Sequence, residues 1–284
     1  MRSLPAPFWF GAAFLALCFT ACSAPDAQGA PRSLARLRHE QLPEHLPEAW
    51  RKLLELESAR LPTLALTDPE AVLRVRDCLF RVAWIDPESI EVVPALPEGI
   101  RATYRPRTPR LALGRGEQAV ALLAEDGVRL PDGFSPAAMS HYLRVPLSKG
   151  QEIPPAGGRV HDALQQEALA AAQEAILVRD QLGVPLTRIE RRFDFPADTV
   201  GVPPALSFLC EDGREICWGW SAASEQRVSP PLEARVPLAL KVQRLRSVLA
   251  AHPGLAGVSR VVLDRATLRV FDLDGRELPT PAGI

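Results

Sequence analysis

The strongest hydrophobic periodicity in the chain lies at Leu164, Ala168, Ala171, Ala175, Val178 and Leu182, spaced by three or four residues so that all fall on one face of a helix. A second stripe, Leu238, Val242, Leu245 and Leu249, predicts a helix over Leu238 to Leu249. Nearer the N-terminus, "EAWRKLLELESA" (Glu48 to Ala59) reads as a short helix with Trp50, Leu53, Leu54 and Leu56 inward. Asp68-Pro69 carries N-cap and first-turn chemistry for another, followed at helical spacing by Ala71, Val72, Val75, Cys78, Leu79 and Val82. Between and after these lie short strand-like runs: "SIEVV", "IRATYR", "RLAL", "AVALLAEDGVRLP" around an Asp126-Gly127 turn, "LTRIERRFDF", "VSRVVLD" and "TLRVFD". Pro131 to Gly158 reads as a loop. The pattern predicts an α+β fold: a small unit over residues 48–110, then a larger mixed-sheet domain over residues 111–278 with two packing helices.

"LSFLCEDGREICWGW" (Leu206 to Trp220) predicts a hairpin turning at Asp212-Gly213. With a two-residue turn, Phe208 faces Cys217. Leu209, Ile216, Trp218 and Trp220 then share one face, and Cys210 and Cys217 are diagonal neighbours, at or beyond disulfide reach. A three-residue loop with Gly213 in a bulge reverses the parity and sends the two cysteines to opposite faces. Neither spacing suits zinc or thiol exchange, which favour C-x-x-C. Cys78 sits among apolar helical positions and reads as a small core residue.

Composition limits the function classes. The 284 residues carry a formal charge of -1, so charge gives no reason to expect a nucleic-acid partner. The five histidines are scattered, no dinucleotide, P-loop or G-x-S-x-G motif appears, and neither catalysis, a cofactor nor a small-molecule substrate is expected. The first 24 residues hold one charge, Arg2, ahead of an apolar run, and read as an export signal or membrane anchor; Pro25 to Pro47 reads as a tether. Phe19-Thr20-Ala21-Cys22-Ser23 resembles a bacterial lipobox, which would make Cys22 a lipidated residue; the alternative is a transmembrane span over Ser3 to Pro25. Both place the folded part in the cell envelope, on the periplasmic side.

The order of these elements resembles the extracytoplasmic part of the FtsQ/DivIB bacterial cell-division proteins, a POTRA domain followed by a β domain. The likeness rests on Trp84-Ile85, the two strands after it and Arg107-Thr108-Pro109, with Pro106 where the family has Glu. It continues through "LLAEDGVRLP", the hairpin with Asp212, Gly213, Ile216 and Gly219, and the helix carrying Lys241 and Leu245; near the C-terminus only Asp264-Arg265 matches the family's Asp-Leu-Arg. The resemblance implies a non-enzymatic divisome scaffold that binds FtsB/FtsL-like envelope proteins by adding a partner strand to a C-terminal sheet edge. Val258, Arg260, Val262 and Asp264, alternating along "VSRVVLD", are the partner-binding candidates, and Asp212, Gly213 and Gly219 the structural hairpin. The second reading is a POTRA-bearing envelope lipoprotein with an unrelated binding task.

Overall fold

The computed structural model describes residues 38–39, 46–62, 70–95, 99–148, 150–193, 203–227 and 236–280. The export or anchor segment with Cys22, most of the tether, and Asp68-Pro69 lie outside them. The fold is α+β. A strand β1 (Arg38–His39) precedes helices α1 (Glu48–Ala59) and α2 (Ala71–Phe80), then strands β2 (Glu91–Ala95) and β3 (Gly99–Thr103). β2 and β3 form an antiparallel pair, and β1 lies parallel to β3 on its other side.

Two buried indoles organise this first unit. Trp50 and Trp84 stack at 5.7 Å, Phe134 meets Trp50 edge-on at 5.2 Å, and Tyr104 meets Trp84 at 5.9 Å. Each indole N–H donates to a backbone carbonyl, Trp50 to Pro131 and Trp84 to Trp50, so neither polar atom is buried unpaired. Trp50 and Leu54 are the buried residues of α1, while Leu53 and Leu56, expected inward, are 37% and 60% exposed. Leu56 lies two residues past Leu54, on the far side of a 3.6-residue turn from that buried residue. Cys78 is buried, as expected of a core residue.

The larger sheet has nine strands in the order β12-β11-β10-β9-β8-β7-β6-β4-β5. They are β4 (Pro109–Arg115), β5 (Gln118–Ala124), β6 (Leu143–Pro146), β7 (Leu186–Arg191), β8 (Leu206–Cys210), β9 (Glu215–Gly219), β10 (Val258–Val262), β11 (Arg269–Asp272) and β12 (Glu277–Leu278). Between them come the short helices α3 (Pro136–Met139) and α5 (Ala222–Arg227) and the long ones α4 (Ala163–Arg179) and α6 (Leu238–Ala251). The parallel pairs β6/β7 and β9/β10 cannot be joined by tight turns, and α4 and the α5–α6 stretch are their crossovers. Both long helices cover one face, where Ala168, Ala171, Ala175, Val178, Leu245 and Val248 join Phe208, Ile216, Trp218 and Val261 in the main core. At the far end the opposite face of β4–β5, through Ala112, Leu122 and Ala124, belongs to the same apolar cluster as Trp50, Leu54 and Trp84. The first unit is thus packed on the sheet. Arg107 fastens the joint: its backbone N–H donates to Trp84 O, its Nε to Ala83 O, and its guanidinium pairs with Asp126.

The stretch read as a loop contains β6. Leu143 and Val145 are buried between β4 and β7, and the four-residue strand is hidden in the sequence because Pro and Gly flank it closely.

Candidate functional site

The hairpin of β8 and β9 places the site. Leu209 pairs with Glu215, Phe208 with Ile216 and Ser207 with Cys217, a register that requires a three-residue loop of Glu211, Asp212 and Gly213. Cys210 N–H donates to Arg214 O at 2.9 Å, Gly213 N–H to Cys210 O at 3.1 Å, and Gly213 has φ +86°. The left-handed Gly after a tight turn is the geometry of a three-residue hairpin with a bulge. The two-residue register, with Phe208 facing Cys217, is not formed. Leu206, Phe208, Cys210, Ile216 and Trp218 face the helices, whereas Ser207, Leu209 and Cys217 face the other way. Cys210 and Cys217 are both free thiols on opposite faces of the sheet and cannot join. Burial pushes each thiol up to about 11, and so away from thiolate chemistry at neutral pH.

β9 ends at Gly219, with φ +79°. A Cβ placed there would stand 2.5 Å from Cβ of Asp264, which follows β10 and is fully buried. Asp264 pairs with Arg192, at the end of β7, whose side chain is 4% exposed. Burial raises the Asp264 carboxyl above its ordinary value, opposed chiefly by the Arg192 charge. Around this pair opens a groove of about 540 Å³ lined by Arg192, Arg260, Val262, Arg265, Arg269 and Phe271, among others. Arg260 is held by Glu215 at 3.0 Å and donates from Nε to Cys217 Sγ at 3.2 Å. Arg269 lies over the Phe271 ring at 5.0 Å and pairs with Glu277 at 2.8 Å. Four guanidinium groups thus line the groove beside Val262 and Phe271, three of them paired with the carboxylates of Asp264, Glu215 and Glu277, and the guanidinium fork is the group that matches a carboxylate.

Of the residues predicted to bind a partner, Arg260 and Val262 line this groove and Asp264 lies under it. Val258 does not. The register of β10 shifts between Val258 and Arg260, so the bulge turns Val258 into the main core with Val261 and breaks the simple alternation. β10 is also an internal strand, parallel to β9 and antiparallel to β11, and has no free edge for strand addition. The C-terminal edge is β12. Asp212, Gly213 and Gly219 do serve the hairpin. The arginines of the groove were not legible as a set, because they come from the end of β7, the middle of β10, the loop after β10, and β11.

On the helix side of the same joint lies a second buried polar cluster that sequence reading missed. Glu167 of α4 accepts hydrogen bonds from Ser221 N–H, Ser221 Oγ and Ser224 Oγ. Glu174, two turns further along the same face of α4, accepts from Trp218 Nε1 at 2.7 Å and Ala222 N–H at 2.5 Å. Lys241 of α6, fully buried, donates to Trp220 O and lies 5.7 Å from the Trp218 ring centre. Burial raises both glutamates, with the hydrogen bonds and the Lys241 charge acting against it.

No protein-family model and no curated protein matches this chain. Among the described residues no cluster of His, Cys, Asp or Glu has metal-binding geometry, and no helix is long and apolar enough to cross a membrane.

Proposed function

We propose that this chain is a non-enzymatic envelope scaffold of the FtsQ/DivIB cell-division type, which takes an extended segment of a partner onto the β12 edge of its sheet. The observation that carries the reading is the contrast between the sheet's two edges. Beyond β5, the chain returns to cover the edge, with Leu130 N–H donating to Leu122 O and Ala124 N–H to Val128 O, both at 2.9 Å. Beyond β12, no described strand pairs, and the arginine groove begins one strand in, on β11 and β10. An uncovered edge offers backbone groups to an incoming strand, and the groove offers recognition of acidic side chains that strand carries. The β1-α1-α2-β2-β3 order of the first unit is compatible with the POTRA-like reading, and the reading includes anchoring to the membrane through Cys22 or through the apolar span around it.

The test follows from the ladder. Asp272 N–H donates to Arg276 O at 2.9 Å, so the neighbouring Phe271–Glu277 pair is the non-hydrogen-bonded type, and the backbone N–H of Glu277 points outward. Glu277→Pro removes that donor and keeps the β11–β12 backbone ladder; Glu277→Ala is its control, because both variants equally give up the Glu277 pairing with Arg269 of β11. Losing one backbone hydrogen bond of about 1 kcal/mol is expected to weaken capture of envelope division proteins by Glu277→Pro roughly fivefold to tenfold relative to Glu277→Ala. Equal capture by both variants rules out strand addition at β12. A fluorescent fusion is expected at mid-cell, with labelled palmitate incorporated at Cys22 if the anchor is a lipid. Uniform envelope labelling instead supports the envelope lipoprotein with a different binding task.

A further inference from the structure

Asp264 is in an unusual position for a carboxylate beside a recognition groove. Its Oδ2 receives the Arg192 guanidinium, its Oδ1 has no hydrogen-bond partner among the described residues, and its Cβ is pressed against Gly219. The charged or titratable groups around it are Arg192 from β7, Arg244 from α6, Arg265 beside it, Arg260 from β10, and the Cys217 thiol from β9. The others are engaged elsewhere. Arg244 donates to the carbonyls of Leu263, Arg265 and Ala266, and Arg260 is held by Glu215 and Cys217. Arg192 is the cation in direct contact with Asp264, and the same Arg192 lines the groove.

We infer that a partner carboxylate entering the groove competes with Asp264 for Arg192, and that Asp264 takes up one proton from solvent as the partner binds. The step balances: the partner's carboxylate replaces that of Asp264 as counterion of Arg192, and Asp264 becomes a neutral acid. A buried carboxylate that loses its counterion cannot recover solvation and neutralises instead. This rests on the reading that the groove receives acidic side chains. The sign is fixed by linkage. The bound state holds one more proton than the free state, so affinity rises as pH falls through the Asp264 titration of the complex, and levels off below that of the free protein.

The experiment is calorimetric titration of the full chain, in a neutral detergent, with an end-blocked octapeptide of alternating Val and Glu. It is run between about pH 5.5 and 8, where Glu side chains stay largely ionised, in buffers of different ionisation enthalpy. The expected results are proton uptake approaching one per peptide and a Kd that tightens by up to about tenfold per pH unit, the limit for one linked proton. Asp264→Asn, which cannot take up the proton, is expected to bind with a flat pH profile. Binding by the native chain without proton uptake, or an unaltered pH slope in Asp264→Asn, overturns the inference and leaves the acidic-partner reading standing. No binding at any pH overturns both.

Discussion

Gly219→Ala is expected to lower stability by roughly 2–5 kcal/mol, a large share of the about 5–15 kcal/mol margin of an ordinary domain. Two costs add. The backbone at Gly219 has φ +79°, a conformation that costs a residue with a side chain about 1–2 kcal/mol. The new methyl would also stand 2.5 Å from Asp264 Cβ, and Asp264 is a buried, ion-paired side chain with little room to retreat; over-packing of this kind costs about 1–3 kcal/mol. Gly213→Ala is the control. Gly213 has a similar φ of +86° but meets nothing within 4 Å, so only the backbone cost of about 1–2 kcal/mol applies. Urea midpoints of the two variants separate the effects, and equal losses would show that the Asp264 contact is of no consequence.

Gly219 also explains what could be read in the sequence and what could not. The long helices were legible, because Ala168, Ala171, Ala175 and Val178 repeat at helical spacing and do form the buried stripe of α4. The hairpin was legible as an element, since Asp212-Gly213 between apolar runs has few other uses. Its register was not. A loop of two residues and a loop of three fit the same letters, and the choice exchanges every side chain between the faces. The polar clusters were illegible for a different reason. Glu167 and Glu174 border the apolar stripe of α4, where an acid ordinarily reaches solvent, and only the packing of the Ser221–Ser224 turn against α4 reveals them as buried acceptors. Arg192 lies far in sequence from Arg260 and Asp264 and meets them only because β8 and β9 stand between β7 and β10 and bring the end of β7 to the end of β10.

The two buried clusters are joined through consecutive residues. Asp264 bears on Gly219, Lys241 holds Trp220 O, and Glu167 and Glu174 hold the N–H groups of Ser221 and Ala222. The end of β9 is therefore gripped from the groove face by β10 and from the helix face by α4 and α6.

Lys241→Met is expected to cost about 1–3 kcal/mol near neutral pH, because it leaves the buried Trp220 O without its donor and removes the positive charge that favours the ionised forms of Glu167 and Glu174. Met keeps most of the volume, so the loss reports charge rather than a cavity. The pH dependence distinguishes this cause from simple misfit. Glu167 and Glu174 are both raised in the folded chain above their ordinary value of 4.5, by burial, so the folded state binds more protons than the unfolded state in the window above that value. Their contribution to stability is therefore greatest at acid pH and declines as pH rises through the folded values. Removing Lys241 takes away an interaction that lowers both, which moves the window upward and steepens the decline. Thermal melts across pH should show Lys241→Met losing most at neutral pH and approaching the native chain on acidification. Replacing Glu174 by Gln in the same background keeps an acceptor for Trp218 Nε1 or Ala222 N–H while removing one charge, and should restore part of the neutral-pH loss. A deficit of constant size at every pH would mean that Lys241 matters for its packing and its bond to Trp220, and that the two glutamates do not depend on its charge.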